Sequence, residues 1–161
     1  MSVPPNEVKA VLLLCDFAQE VGGKLYILGG GISKSISWGQ PVSMSLAIKL
    51  SVPWTLANRK LKFQLGLVTE DGHPVHVPGG GPQIGANGQF EVGRPLGLTP
   101  GSPLDGSLAV PMFGMQLTHG TYRWELKIDD ALVQTATFEV IPPPPGFVIP
   151  SPPQAKPPGA T

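Results

Sequence analysis

The chain has 161 residues, 14% of them charged, and its 11 basic residues balance 11 acidic ones. That length is enough for one domain with a sizeable core. Because the net charge is zero, no long-range field draws in nucleic acid or an anionic membrane, and neither is expected as a partner. The 21 glycines and 20 prolines disfavour helices and suit short strands joined by tight turns.

A single cysteine, Cys15, excludes an intramolecular disulfide. It closes the apolar run Val11-Leu-Leu-Leu-Cys15, which predicts a buried position in a first core strand. A lipoprotein cleavage site would need a small residue where Leu14 stands. The run is also too short for a signal peptide or a membrane span. With no targeting segment visible, we expect a cytoplasmic protein, or a virion component if the chain is phage-encoded.

Three regions are predicted in chain order. Residues 1–7, with Pro4 and Pro5, form an extended leader, residues 8–141 form a β domain, and residues 142–161 form a proline-rich tail. Period-two alternation or apolar runs predict eight or nine strands in the domain. They lie at 8–17, 24–28 with a weaker continuation at 32–38, 42–50, 61–67, 74–77, 89–92, 108–115, 121–128 and 136–140.

The clearest of these elements is a hairpin between Gly120 and Val140. Its apolar positions alternate strictly with polar ones, and the turn is predicted at Asp129-Asp130. The regular spacing of short strands predicts an all-β fold, a two-sheet antiparallel sandwich of the immunoglobulin-like or jelly-roll-like kind, with no substantial helix. A small closed barrel is the alternative. Pro111 suits an edge strand or a bulge.

The tail after Ile141 holds nine of the 20 prolines, which favours polyproline II or disorder over a sheet. Phe147, Val148 and Ile149 form a short apolar patch between proline runs. Two interpretations stay open for this tripeptide. It is either a tethered docking peptide for a neighbouring surface or a last strand fragment that folds back on its own domain.

No catalytic, cofactor or metal residues are predicted from the polar side chains. His73 and His76 are three apart in a hairpin region, a spacing that puts them on opposite faces of a strand. Asp129-Asp130 is better explained by side-chain hydrogen bonds to backbone than by acid–base chemistry. The segment from Gly29 to Ser35 lacks the glycine before its lysine, and the following helix, that a phosphate loop needs. Trp38 and Trp54 flank one strand and are candidates for a ligand or glycan groove.

Five stretches together resemble a family of uncharacterised bacterial and phage proteins of about this length. The resemblance spans roughly residues 8–141 and implies one β domain of bacterial or phage origin, but it implies no catalytic or binding residues. The stretches are Val11-Leu-Leu-Leu-Cys-Asp-Phe-Ala-Gln19, Gly22-Gly-Lys-Leu-Tyr-Ile-Leu-Gly-Gly-Gly31, Val52-Pro-Trp-Thr-Leu-Ala-Asn-Arg59, Phe90-Glu-Val-Gly-Arg-Pro95 and Gly120-Thr-Tyr-Arg-Trp124.

The function that follows is a non-enzymatic structural or interaction module. We expect it in a larger assembly such as a phage virion, as a capsid decoration, head or tail accessory protein. Its partners are expected to be proteins, as a homo-oligomer or among other assembly subunits, with the proline-rich tail contacting neighbours. The alternative is a soluble bacterial module that binds a small ligand or glycan.

Overall fold

The structure is a computed structural model that describes residues 7–148, so the leader up to Asn6 and the tail from Ile149 lie outside the description. The all-β prediction is confirmed: within residues 7–148 the regular elements are ten strands and one short 3₁₀ turn (Trp54–Leu56). The strands are β1 (Lys9–Cys15), β2 (Phe17–Val21), β3 (Lys24–Leu28), β4 (Lys34–Ile36), β5 (Val42–Val52), β6 (Leu61–Thr69), β7 (Gly85–Phe90), β8 (Leu104–Met115), β9 (Gly120–Ile128) and β10 (Ala131–Ile141).

The predicted two-sheet antiparallel sandwich differs from the observed architecture, which has three sheets in the described region. One has the order β1-β5-β8, a second has the order β4-β10-β9-β6-β7 and curls into a half-barrel, and β2 pairs with β3 in a separate hairpin. One pair is parallel, because β4 runs alongside the end of β10. The prediction of exclusively antiparallel pairing was therefore wrong at this edge.

The extra sheet arises because the predicted strand 8–17 breaks at Asp16. The backbone N–H of Asp16 donates to the carbonyl oxygens of Leu28 (3.1 Å) and Gly29 (3.3 Å), so the chain bends there and starts a new pairing. Residues 17–21 form β2, so the turn between it and the predicted strand 24–28 is confined to Gly22-Gly23. Both glycines have positive φ (60° and 79°), which a two-residue hairpin loop of this kind requires.

A second correction concerns residues 74–77, which do not form a strand. This segment makes two isolated bridges, Val68 to Pro74 and His76 to Gln83, and the Val75 N–H donates to the Leu67 carbonyl at 3.0 Å. Pro74, Pro78 and Pro82 have no N–H, so this segment cannot sustain a hydrogen-bonded ladder. By contrast, the edge position predicted for the strand around Pro111 is confirmed, since β8 is the outer strand of its sheet.

The main core lies between the three-stranded and five-stranded sheets. The alternation in β9 is confirmed, because Tyr122, Trp124, Leu126 and Ile128 are all buried. They pack with side chains of β5 such as Leu46, Ile48 and Leu50 in one cluster of 20 buried residues. The indole Nε1 of Trp124 is buried without a hydrogen-bond partner among the described residues.

The predicted turn of the β9–β10 hairpin is confirmed at Asp129 and Asp130. Their φ angles of 46° and 67° fit a type I′ turn, which matches the twist of antiparallel strands. The Asp129 carboxylate accepts a hydrogen bond from the backbone N–H of Lys62 at 2.9 Å, and the Asp129 N–H donates to the Lys62 carbonyl. This carboxylate therefore joins the turn to β6.

At the other end of β9, the Tyr122 hydroxyl donates to the carbonyl oxygen of Thr118 at 2.9 Å, four residues upstream. Its ring stacks on Phe138 of β10 with a centroid distance of 5.8 Å. A buried tyrosine that hydrogen-bonds back to the preceding loop is the arrangement called a tyrosine corner in β proteins. It holds the loop before β9 against the core.

The β2–β3 hairpin covers the outer face of the three-stranded sheet. Cys15, Ala18 and Ala47 are buried beneath it, and Leu13, Leu25 and Ala109 pack around them. This group is called the hairpin cluster below. The Ser107 hydroxyl also donates to the Gly23 carbonyl at 3.2 Å and ties the hairpin tip to β8. The predicted burial of Cys15 is confirmed.

Across residues 7–148, no helix is long and apolar enough to span a membrane.

Candidate functional site

The start of the tail folds back onto the domain. The Phe147 ring lies 5.3 Å from the ring of Trp38, centroid to centroid, at an interplanar angle of 50°. A turn places it there, in which the Phe147 N–H donates to the Pro144 carbonyl at 3.3 Å and Gly146 has a φ of 83°. Phe147 and Val148 nevertheless stay 63% and 81% exposed, and Ile149 lies outside the described residues. The contact therefore leaves more than half of each side chain exposed.

The two tryptophans proposed for a ligand groove do not lie together. Trp38 precedes β5 and Trp54 follows it, and an 11-residue strand spans roughly 35 Å. Trp54 carries its own partner, since the Arg94 guanidinium stacks 4.5 Å from its ring centroid and donates to its carbonyl at 3.1 Å. Each tryptophan is thus used locally, and one groove cannot contain both.

An exposed apolar surface covers the outer side of the β2–β3 hairpin. The register pairs Phe17 with Leu28 and places Val21 and Tyr26 on the same face, opposite to the face that carries Ala18 and Leu25. Phe17, Val21, Tyr26 and Leu28 are all about half exposed or more. This set is called the hairpin outer face. Sequence alternation was visible here, but it did not show which side the three-stranded sheet would cover.

A polar groove of about 520 Å³ crosses the outer side of β6, β7 and β9. Gln64 pairs in register with Asn87 on one side and Lys127 on the other, so three polar side chains form one row. Gln83 and Glu125 also line the groove. The Gln83 side-chain amide donates to the Leu67 carbonyl at 3.0 Å, which fixes its position.

A cleft of about 530 Å³ opens between β1 and β10, the two strands at which the sheets approach each other. Residues 7–10 form one wall and residues 131–134 the other, and Leu56, Leu61 and Ile128 supply apolar lining. In the described chain, β1 pairs only with β5, and β10 pairs on its second side only with β4, over Glu139–Ile141. Backbone groups of both strands therefore border this opening, called the seam cleft.

One side chain bridges the seam. The Gln134 amide donates through Nε2 to the Ala10 carbonyl of β1 at 3.0 Å, and its Oε1 accepts from the Thr135 N–H of β10 at 2.9 Å. The register of β10 shifts between Leu132 and Gln134, which marks a bulge. Sequence reasoning missed Gln134. The available signal was the break in alternation at Leu132-Val133 within an otherwise period-two strand.

The ionisable residues singled out in the sequence do not converge. His73 lies in a turn where its N–H donates to the Thr69 hydroxyl, and the His76 ring bonds the Gly81 carbonyl at 3.1 Å. Between residues 7 and 148, no three His, Cys, Asp or Glu side chains are close enough to hold a metal ion. Burial, with a further contribution from the Asp16 carboxylate, raises the pKa of the Cys15 thiol above its ordinary value of 9.0. A thiol in that state is a poor nucleophile at neutral pH.

The glycine-rich segment after β3 has a structural use. The backbone N–H groups of Gly31 and Ile32 donate to the Leu14 carbonyl at 2.8 and 3.0 Å, so they cannot point at a phosphate. Gly29 has a φ of 62°, and a Cβ there would collide with the Asp16 carboxylate. The segment therefore leads the chain from the β2–β3 hairpin back alongside the end of β1, where its backbone lies close to Leu14 and Asp16.

The comparisons with known proteins give a distantly similar structure and a family. A structure of Pseudomonas fluorescens alkylpurine DNA glycosylase AlkC, bound to DNA with an abasic site analog, aligns with a TM-score of 0.45 and 15% identity. The alignment covers 83% of this chain but 30% of that one. No curated protein sequence matches. The resemblance inferred from the five sequence stretches is confirmed, because residues 10–141 match a family model. The chain belongs to the family of unknown function DUF6941.

Proposed function

We propose that this protein is a non-enzymatic interaction module that works by binding other protein subunits in a larger assembly, such as a phage particle. The observation that carries the proposal is the hairpin outer face. Four large apolar side chains are exposed on one side of a hairpin only five residues long on each strand. Aromatic and aliphatic side chains gathered in one patch are typical of protein–protein contact surfaces.

The composition of that face supports a protein partner over a charged one. Gln19 and Lys24 are the polar members of its register pairs, opposite Tyr26 and Val21. A face with one cation offers little to a nucleic acid or an anionic membrane, whose binding depends on several basic contacts. Phe147 and Val148 add a second exposed apolar site at the root of the tail.

Site-specific photocrosslinking in the native host tests the proposal. A photoreactive phenylalanine analogue replaces Tyr26 on the hairpin outer face, and in a matched variant it replaces exposed Glu70 in the loop after β6. We expect a discrete crosslinked species from position 26, in which mass spectrometry identifies a protein partner or a second copy, and none from position 70. Equal, diffuse crosslinking from both positions would contradict an interaction role for this face.

We propose ligand binding as a second candidate, on the strength of the polar groove. Amide and carboxylate side chains such as Gln64, Asn87 and Glu125 can donate to and accept from the hydroxyl groups of a glycan. The groove volume of about 520 Å³ falls in the range of small-molecule sites. Calorimetric titration with a panel of oligosaccharides tests it, with Asn87→Ala expected to abolish any heat seen. If no sugar binds the unmodified chain, the candidate fails.

A further inference from the structure

We infer that the tail tripeptide Phe147-Val148-Ile149 of one copy docks as a short extended strand in the seam cleft of a second copy. The inference rests on the proposed interaction role and names its partner, namely another molecule of this chain. Four features of the described residues lead to it: the unpaired strand edges, the Gln134 bridge, the exposed Phe147 and Val148, and the distance between tail and cleft.

The seam cleft has the chemistry of a site for strand addition. An extended peptide bound to a sheet edge gains main-chain hydrogen bonds from that edge, and pockets beside it accept alternate side chains. In the described structure, the edge of β1 that faces β10 has no strand partner. The edge of β10 that faces β1 at residues 131–134 has none either, because these residues pair only with β9 on their other side. Leu56, Leu61 and Ile128 line the space between them with apolar surface for an incoming side chain.

Gln134 shows how such a strand would be held. Its side-chain amide donates to Ala10 of β1 and accepts from Thr135 of β10, as a peptide group inserted between the two strands would do. A primary amide and a peptide group offer the same donor and acceptor types. One glutamine side chain thus bridges the seam beside a cleft walled by residues 7–10 and 131–134, and four residues on each wall match an incoming strand of about three residues at about 3.3 Å each.

The tripeptide has the complementary chemistry. Phe, Val and Ile are residues with high strand propensity. Phe147 and Val148 are more than half exposed, and prolines at 145 and 150 limit the segment that can form a ladder to the residues between them. The segment can therefore supply about three residues, which matches the cleft.

Geometry excludes docking within one molecule. The cleft borders residues 131–134 of β10 and the tail leaves the strand at Ile141, seven to ten residues further on, which is a separation of roughly 23–33 Å. Residues 141–144 extend at most about 11 Å, and the turn from Pro144 to Phe147 adds less than about 7 Å. With its turn in place Phe147 reaches about 18 Å from Ile141 and falls short of its own cleft, so we infer a second copy as the receiver.

A contact between a tail and a different surface on the next copy is heterologous, so it propagates into a ring or a filament. The Trp38–Phe147 contact of 5.3 Å is then the resting arrangement, which releases when the tail docks elsewhere. Both rings are partly exposed to solvent, so separating them removes little buried apolar surface and costs little free energy.

Complementation between two full-length variants tests the inference by sedimentation velocity. The tail variant carries Phe147→Ser and Val148→Ser, and the cleft variant carries Leu132→Glu, at a half-exposed residue that lines the seam cleft. We expect concentration-dependent oligomers larger than a dimer for the unmodified chain. Each variant alone should associate at least about 30-fold more weakly, the size of a hot-spot truncation. An equimolar mixture should stop at a one-to-one dimer, because it contains one intact tail and one intact cleft per pair.

Leu96→Ser is the matched control, since Leu96 is fully exposed away from the seam, and it should leave association unchanged. Circular dichroism and thermal melting of each variant establish that loss of association is not loss of folding. An unmodified chain that stays monomeric up to about 1 mM overturns the inference, as does a mixture in which the variants fail to complement. If Tyr26 crosslinking persists in either case, the interaction role stands and only the tail–cleft contact fails.

Discussion

The main core and the hairpin cluster are two hydrophobic clusters of very different strength. The main core joins two sheets through 20 buried residues, including Trp124 and Phe138 with essentially no exposed surface. The hairpin cluster has three buried residues, Cys15, Ala18 and Ala47. Because hydrophobic stabilisation scales with the apolar area removed from water, the small side chains hold the β2–β3 hairpin much less firmly.

This difference shows how the fold combines stability with an accessible surface. The hairpin presents four exposed apolar side chains on its outer face, while only a small cluster packs beneath its inner face. Elements with few buried apolar contacts open locally at lower free energy than the core. The hairpin can therefore adjust to a partner without unfolding the sheets beneath it.

The largest expected effect comes from breaking the main core. Trp124→Ala should lower the free energy of unfolding by about 3–5 kcal/mol, because it removes a large buried side chain and leaves a cavity. Urea denaturation followed by circular dichroism measures this loss. The unpartnered indole N–H reduces the native contribution of Trp124, so Trp124→Phe should cost considerably less than Trp124→Ala.

Trp38→Ala is the matched control for the same residue type. Trp38 is 37% exposed and packs on Phe147 outside the core, so its loss should cost less than about 1 kcal/mol. A similar destabilisation by both alanine variants would show that the two-sheet core does not dominate stability.

An intermediate effect should come from weakening the hairpin cluster alone. Leu25→Ala truncates a partly buried side chain against Cys15 and Ala18. We expect the Cys15 thiol to react with a thiol reagent about 10-fold faster, the result of making local opening easier by about 1.4 kcal/mol. The free energy of global unfolding should fall by a similar amount, about 1.4 kcal/mol, because the hairpin is open in the unfolded state as well.

Tyr26→Ala provides the comparison on the opposite face of the same strand. Tyr26 points away from the three-stranded sheet, so its removal should leave the rate of Cys15 labelling unchanged. If Leu25→Ala and Tyr26→Ala accelerate labelling equally, the hairpin has no inner cluster that protects Cys15.

The smallest expected effect is on the pH dependence of stability. Burial raises the pKa of Cys15 in the folded state above its ordinary value of 9.0, so folding favours the neutral thiol. The stabilisation that the neutral Cys15 thiol gives the folded state is fully present below pH 9.0 and is lost as the pH rises through the folded-state pKa. Unfolding free energies of the unmodified chain and of Cys15→Ala, measured from pH 7 to 10, should diverge above pH 9 with the unmodified chain losing more. Parallel curves would contradict a raised pKa.

Several features of the fold were predictable from particular residues. Strict alternation in β9 identified Tyr122, Trp124, Leu126 and Ile128 as buried, since period-two patterning reflects one covered face. Asp129-Asp130 marked the turn, and Pro111 marked an edge strand. The family resemblance rested on local stretches and did not depend on the topology.

The candidate sites were less predictable because they depend on distant parts of the chain. The exposed apolar residues Phe147 and Val148 could be identified as a possible docking segment, yet their contact with Trp38 could not. Gln134 gained its role from Ala10, 124 residues away along the chain. Trp38 and Trp54 were paired as groove candidates because both flank β5, and the length of that strand separates them.

The sequence by itself determined the all-β class, the buried face of β9, the turn at Asp129-Asp130 and the proline-rich composition of the tail, because backbone preference and side-chain alternation are local properties. The tertiary structure decided that there are three sheets, which face of the β2–β3 hairpin is covered and where β1 meets β10. These features depend on pairings between segments far apart in the chain. Local side-chain patterns predict where strands form, but they say little about which strand edges lie next to each other.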